Sequence, residues 1–217
     1  MVALDEEDER VLDHLIAGGF LTPDEIKTTF LDEFLDGELT GADRARVEQE
    51  IDRRVAAAQA RQQDWNGPTA FDLLDRAFDH LNRSDHVVAV HNAGFTREAA
   101  MELVATECKE RGGSRAGILG GVYYTQQDVE TALETRIMRL GFFAVGPDAA
   151  TCDAAIAAMM PRVLTRLTAE GLPAGWNGDQ GSKIEINPLE WTKRLPEPAG
   201  RRRSGPIALF GRFFGSA

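Results

Sequence analysis

The chain of 217 residues has no apolar run that approaches the roughly 20 residues a membrane-spanning helix needs. Its first ten residues, Met1 to Arg10, are acidic where a secretory signal would carry a basic n-region, so no signal peptide is read there. It has two cysteines, Cys108 and Cys152, too few for a disulfide framework. These absences predict a cytoplasmic protein. The signatures of common chemistries are missing as well. Gly112-Gly113-Ser114-Arg115 lacks the lysine of a phosphate-binding loop and precedes a strand instead of a helix. Gly117, Gly120 and Gly121 do not make a dinucleotide fingerprint. No H-E-x-x-H, C-x-x-C or G-x-S-x-G occurs. The sequence therefore predicts no metal, no cofactor and no catalytic residue.

What is present is a globular composition, 43% hydrophobic, with a formal charge of −11. The charge is uneven: residues 1–60 carry −10, residues 61–195 carry −4 and residues 196–217 carry +3. An acidic head argues against nucleic acid, whose phosphates require a basic surface. It complements a basic protein partner.

The N-terminal third reads as helices. Val11, Leu12, Leu15 and Ile16 mark one over residues 5–18, closed by Gly18-Gly19. Thr22-Pro23-Asp24-Glu25 is a capping box with proline in the first turn, followed by a stripe through Ile26, Phe30, Leu31, Phe34 and Leu35. Thr40 opens a long charged helix to about Gln63, with a sparse apolar side of Ala45, Val47, Ile51 and Val55. After the break at Trp65-Asn66-Gly67-Pro68, Thr69 caps a helix whose buried face is Phe71, Leu74, Phe78 and Leu81. His80, near its end, reads as a surface residue.

From His86 the pattern alternates. His86–His91 reads as a strand and Thr96 to Arg111 as a helix. Gly117 to Tyr124 is a glycine-bounded buried strand, and Thr125 caps a helix through Thr135. Ile137–Val145 is a third strand, followed by a long helix to Gly171. Pro161 is expected to kink that helix or split it after Met160. Ala174–Trp176 and Lys183–Ile186, joined by Asn177-Gly178-Asp179-Gln180-Gly181, read as a hairpin. The fold class is α+β: a helical N-terminal part beside a mixed β-sheet, with helices mainly on one face and a C-terminal β-hairpin. The expected organisation is an acidic helical segment over 1–65, an α/β core over 66–195 that folds with those helices as one unit, and a tail over 196–217. The tail joins Arg201, Arg202 and Arg203 to Phe210, Phe213 and Phe214, a pattern with weak affinity for an anionic membrane surface.

Two sets of residues qualify as sites. Tyr124, Gln126, Gln127 and Asp128 stand where the central strand turns into a helix N-terminus, and His91 and Asn92 stand at the end of the strand before it. Glu48, Glu50 and Asp52 represent the acidic helical face. His86 and His91 are an odd number apart and point to opposite sheet faces, which argues against a shared metal. Cys152 lies in the first turn of the long helix, but no base accompanies it. Glu185 and Glu190 are further carboxylates that a fold might bring to Asp128.

The run Val122-Tyr123-Tyr124-Thr125-Gln126-Gln127-Asp128-Val129-Glu130 resembles an uncharacterised bacterial domain family with a Y-V-(Y/F)-(Y/F)-H-Q-Q-D-T-E-like motif. Asn92-x-Gly94-Phe95-Thr96, Trp176-Asn177-Gly178 and Trp191 are similar to that family too, over roughly residues 20–195. Thr125 stands where the family run often has histidine. The resemblance implies one α+β unit and carries no reaction. Two functions follow as expectations. The first is a non-catalytic cytoplasmic protein that binds or regulates a basic protein partner, for example an immunity-type inhibitor of a toxin. The second is an enzyme or small-molecule binder with its site at the Tyr124–Asp128 corner.

Overall fold

The computed structural model describes residues 4–35 and 39–197. Each of the seven described helices starts on a side-chain cap, as the Thr and Asp spacing predicts. They are α1 (Glu6–Gly18), α2 (Pro23–Thr29), α3 (Gly41–Gln63), α4 (Ala70–Ser84), α5 (Arg97–Glu110), α6 (Gln126–Thr135) and α7 (Ala149–Ala169). Asp5, Thr22, Thr69 and Thr125 make reciprocal capping boxes with the acid three residues on. The α2 stripe continues into a π-helical turn, Phe30–Phe34, which buries Phe30 and Leu31 and leaves Phe34 exposed.

The strands are β1 (Val87–Val90), β2 (Gly120–Tyr123), β3 (Met138–Ala144), β4 (Ala174–Gly175) and β5 (Ile184–Ile186). They form one sheet in the order β1-β2-β3-β5-β4. Only β1 and β2 run parallel; β2–β3, β3–β5 and β4–β5 are antiparallel. The period of two sorts the side chains between faces. Ala89, Val122, Tyr124, Met138 and Leu140 join Leu74 and Phe78 of α4, Val129 of α6, and Met159 and Val163 of α7 in the larger core. Val88 and Tyr123 face Ala100, Val104 and Cys108 of α5 on the other side. Helices thus lie mainly on one face, with α5 alone covering the reverse. Its approach is close: a Cβ on Gly121 would stand 2.3 Å from Val104 Cγ1.

The N-terminal helices have a cluster of their own, Leu12, Ile16, Ile26, Phe30, Ile51 and Val55, closed by Leu195 from the far end of the chain. α3 packs along a single seam of Val47, Ile51, Val55 and Ala58. A fully buried Val or Ile contributes about 1.5–3 kcal/mol, so this seam helps to hold a helix that is otherwise charged. α7 corrects the expectation of a split after Met160. It runs unbroken through Pro161. Pro161 and Ala157, the residue whose carbonyl loses its donor, both lie on the exposed side, where solvent replaces the missing hydrogen bond. The basic aromatic tail lies outside the described residues.

Candidate functional site

Because β1 and β2 are parallel neighbours, their C-terminal ends leave the sheet side by side, and α5 and α6 begin just beyond them. Backbone pairing continues past the strands: Ala93 N donates to Tyr124 O at 2.8 Å and Gln126 N to Gly94 O at 3.0 Å. The turn needs left-handed backbone at Asn92 (φ 44°) and Gly94 (φ 118°), which Asn and Gly tolerate. His91 is thereby set against Tyr124.

Tyr124 is fully buried, and its hydroxyl lies 3.0 Å from His91 Nδ1. Burial, with the Asp75 charge second, holds the phenol well above its usual range, so it stays protonated. The hydroxyl has no other hydrogen-bond partner among the described residues, so we assign it as the donor to Nδ1, which satisfies the buried O–H. In the neutral ring this places the imidazole proton on Nε2. Nε2 lies 3.1 Å from Asp75 Oδ1, but the carboxylate is off the N–H line. The contact is poorly directed, and Asp75 is the one acceptor within reach of Nε2 among the described residues. His91 beside it, more than burial opposes, holds the Asp75 carboxyl below its usual range.

Asp75 comes from α4. Phe71, Asp75 and Phe78 are spaced i, i+4, i+7 and share one helix face. The His91 ring lies 5.0 Å from Phe71 and 4.5 Å from Phe78, centroid to centroid. Tyr124 meets Trp191 edge-on at 5.9 Å, and Trp191 stacks near Phe20 at 6.1 Å. The site is thus an aromatic enclosure around His91, with Asp75, half exposed, as its outlet to solvent. Lys193 stands at the same enclosure. Its Nζ is 3.6 Å from the Phe71 centroid and 5.1 Å from that of Phe20.

Asn92 Nδ2 donates to Gln126 Oε1 at 3.4 Å, and Gln126 Nε2 to Glu130 Oε1 at 3.2 Å. Asn92 Oδ1 is buried without a partner. The fold therefore brings Tyr124, His91, Asn92 and Gln126 together. It does not bring in the rest of the corner. Gln127 is exposed on α6. Asp128 Oδ2 accepts from Thr125 N at 3.0 Å and Thr125 Oγ1 at 2.8 Å, and Oδ1 accepts from Lys183 Nζ at 2.6 Å. That carboxylate is spent on the cap and on tying α6 to the hairpin. Glu185 pairs with Arg139 instead, and Glu190 is exposed, so the carboxylates do not converge. Among the described residues no group of three or more His, Cys, Asp or Glu is placed to hold a metal.

The acidic face is largely paired within the chain. Glu48 contacts Arg44 at 3.3 Å, Asp52 contacts Lys27 at 2.7 Å, and Glu50 binds Arg53 at 2.6 Å and Arg54 at 2.7 Å. A separate open cleft of about 710 Å³ lies at the hairpin, lined by Trp176, Arg139, Lys183 and Glu185 among others.

Asp75 and Lys193 were not legible as site residues. The signal for Asp75 is a carboxylate set within the apolar stripe of Phe71, Leu74 and Phe78. For Lys193 it is only proximity to Trp191.

The family model described as a domain of unknown function (DUF6891) matches residues 3–195, and the chain belongs to that family. No curated protein and no solved structure matches it.

Proposed function

We propose that the C-terminal end of the β1–β2 pair is a binding site for a small polar molecule, with His91 and Asp75 as its acid–base pair and Tyr124 as the residue that positions the imidazole. One observation carries this reading: Asn92 Oδ1 is buried without a hydrogen-bond partner, next to a His91 whose Nε2 has only the half-exposed Asp75 carboxylate, 3.1 Å away. An acceptor left unmet in this way costs about 1–3 kcal/mol, and a ligand offering a donor would satisfy it. The place also fits, since ligands of open sheets gather beyond the carboxyl ends of parallel strands. A phenol that cannot ionise keeps Nδ1 occupied, so proton exchange is directed to Nε2 and Asp75. No described helix is long and apolar enough to cross a membrane, both cysteines are free, and we place this activity in the cytoplasm.

A thermal-shift screen of sugars, hydroxy acids and nucleosides tests it. At least one compound should raise the melting temperature of the wild type and not that of His91→Gln or Asn92→Ala. Shifts that persist in both variants, or none across the library, would overturn it.

A second reading, a regulatory protein that holds a basic partner on its acidic helices, is favoured by the first turn of α1. Glu6 and Glu7 are exposed there, and Arg10 reaches only Glu7, at 4.0 Å. The weight of that reading moves from Glu48, Glu50 and Asp52 to α1. Capture of a basic protein from native lysate that survives Glu6→Lys with Glu7→Lys would sink it.

A further inference from the structure

The chain uses arginine for nearly all its positive charge: four of its 24 Lys and Arg residues are lysines. Three of the four are accounted for. Lys27 pairs with Asp52 at 2.7 Å, Lys183 pairs with Asp128 at 2.6 Å, and Lys109 is exposed. Lys193 differs from all three. Among the described residues it has no carboxylate within ion-pair distance, and its Nζ contacts the rings of Phe71 and Phe20.

Its placement is fixed from both sides. Thr192 accepts from Phe71 N at 3.0 Å through its carbonyl and from Ala70 N at 2.8 Å through its hydroxyl. Arg194 donates to Trp65 O at 3.1 Å, to Gly67 O at 3.2 Å and to Asp72 Oδ2 at 3.2 Å. The lysine between them is therefore held at the aromatic wall that also contacts His91. Withdrawal from water lowers the ammonium's pKa below its usual value, against the opposing pull of Asp72 and Asp75. An amine withdrawn from water at an aromatic wall, with Asp72 and Asp75 near but neither in ion-pair contact, approaches the condition that makes lysine a nucleophile toward carbonyls. Arginine cannot serve in that way, because it does not deprotonate.

We propose that Lys193 is a carbonyl-reactive residue that captures an uncharged aldehyde or ketone as an imine. This deepens the reading of the strand-end site and rests on it for the proton-handling groups. The neutral amine forms a C–N bond to the carbonyl carbon as the C=O π electrons move to oxygen. The nitrogen loses one proton and the oxygen gains one, giving a carbinolamine. Loss of water then leaves the C=N bond, and hydrolysis reverses each step without oxidant or reductant. Asp75 and His91, beside the same Phe71 ring, are the groups available to move these protons. Asp72 and Asp75 disfavour a ligand that is itself an anion, which restricts the class to neutral carbonyl compounds such as short hydroxyaldehydes.

The test is reductive trapping on the full chain at neutral pH, with glycolaldehyde or dihydroxyacetone as probe, cyanoborohydride as reductant and peptide mass mapping as readout. Lys193 should be converted to the secondary amine several-fold faster than exposed Lys109. Lys193→Arg should abolish that fast adduct while the circular dichroism spectrum is retained, and His91→Gln should slow it without moving it. Labelling of Lys193 no faster than of Lys109 would overturn the proposal, even if the ligand screen succeeds. Fast labelling with an empty screen would instead leave the amine standing and remove the binding reading.

Discussion

Gly19 and Lys193 cross so closely that a Cβ on Gly19 would stand 2.7 Å from the Lys193 carbonyl oxygen. Gly19 also has φ 73°, where a side chain is strained in any case. Its neighbour Gly18 has neither constraint: a Cβ there would meet only ordinary contacts, the nearest at 3.8 Å. Gly19→Ala should cost about 2 kcal/mol or more, while Gly18→Ala should fall within about 1 kcal/mol of wild type, helix propensity favouring the alanine. Urea unfolding followed by tryptophan fluorescence measures both. Equal costs would mean that the passage of the segment around Lys193, residues 191–195, does not depend on this approach.

The Tyr124 hydroxyl and His91 Nδ1 share the 3.0 Å hydrogen bond that fixes the His91 ring, with the phenol assigned as donor. Tyr124→Phe removes the donor and leaves Nδ1 facing an apolar enclosure. The expected loss is about 1–2 kcal/mol of stability. The tautomer should change with it, because Nδ1 is no longer required to accept. Nitrogen-15 shifts of the imidazole would show the wild-type proton on Nε2 and a mixture in the variant. An unchanged tautomer would assign the orientation of His91 to Asp75 alone.

β1 is an edge of the sheet, and Asn82 covers it. The Asn82 amide donates to Ala89 O at 2.9 Å and accepts from Ala89 N at 3.0 Å, imitating one rung of a neighbouring strand. Arg111 holds the same Asn82 Oδ1 at 2.8 Å. Asn82→Ala should cost about 1–2 kcal/mol and expose an unpaired edge. Denaturation and light scattering would register lower stability and more self-association. A monomer of unchanged stability would show that the edge needs no cover.

Most of this architecture is legible in the sequence, because its signals are local. The capping threonines at 22, 40, 69, 96 and 125 announce their helices, and short apolar runs rich in β-branched and aromatic residues mark β1, β2 and β3. The strand-end corner is visible as a place, since Tyr124 ends a buried strand and Thr125 caps the next helix. Its division is not visible. Asp128 looks like a site residue until Lys183, 55 positions later, takes its second oxygen. Asp75 and Lys193 reach His91 and Phe71 only through the packing of α4 and the segment 191–195 onto the sheet. Gly18-Gly19 reads as a helix stop because its other duty, passing that segment, involves a residue far along the chain. Glu50 reads as free charge because its partners Arg53 and Arg54 are visible only as neighbours in a charged helix.

That pairing sets an acid dependence. Arg53 first, then Arg54, holds the Glu50 carboxyl down at about 2, against an ordinary 4.5. The folded state therefore releases its proton more readily than the unfolded chain. The stabilisation is complete above the unfolded value, near pH 5, and is lost as pH falls toward 2. Glu50 is 30% exposed, so solvent screening reduces the contribution to about 1 kcal/mol. Arg54 adds a structural consequence, because it also holds Glu9 at 3.2 Å and Asp13 at 2.9 Å and so ties α3 to α1. Glu50→Gln should lower stability by about 1 kcal/mol at pH 7 and should match wild type at pH 2, flattening the acid limb between. Added salt should shrink the difference at pH 7. A constant offset at every pH would instead trace the effect to packing of the glutamine amide, since only a titrating pair produces a difference that vanishes in acid.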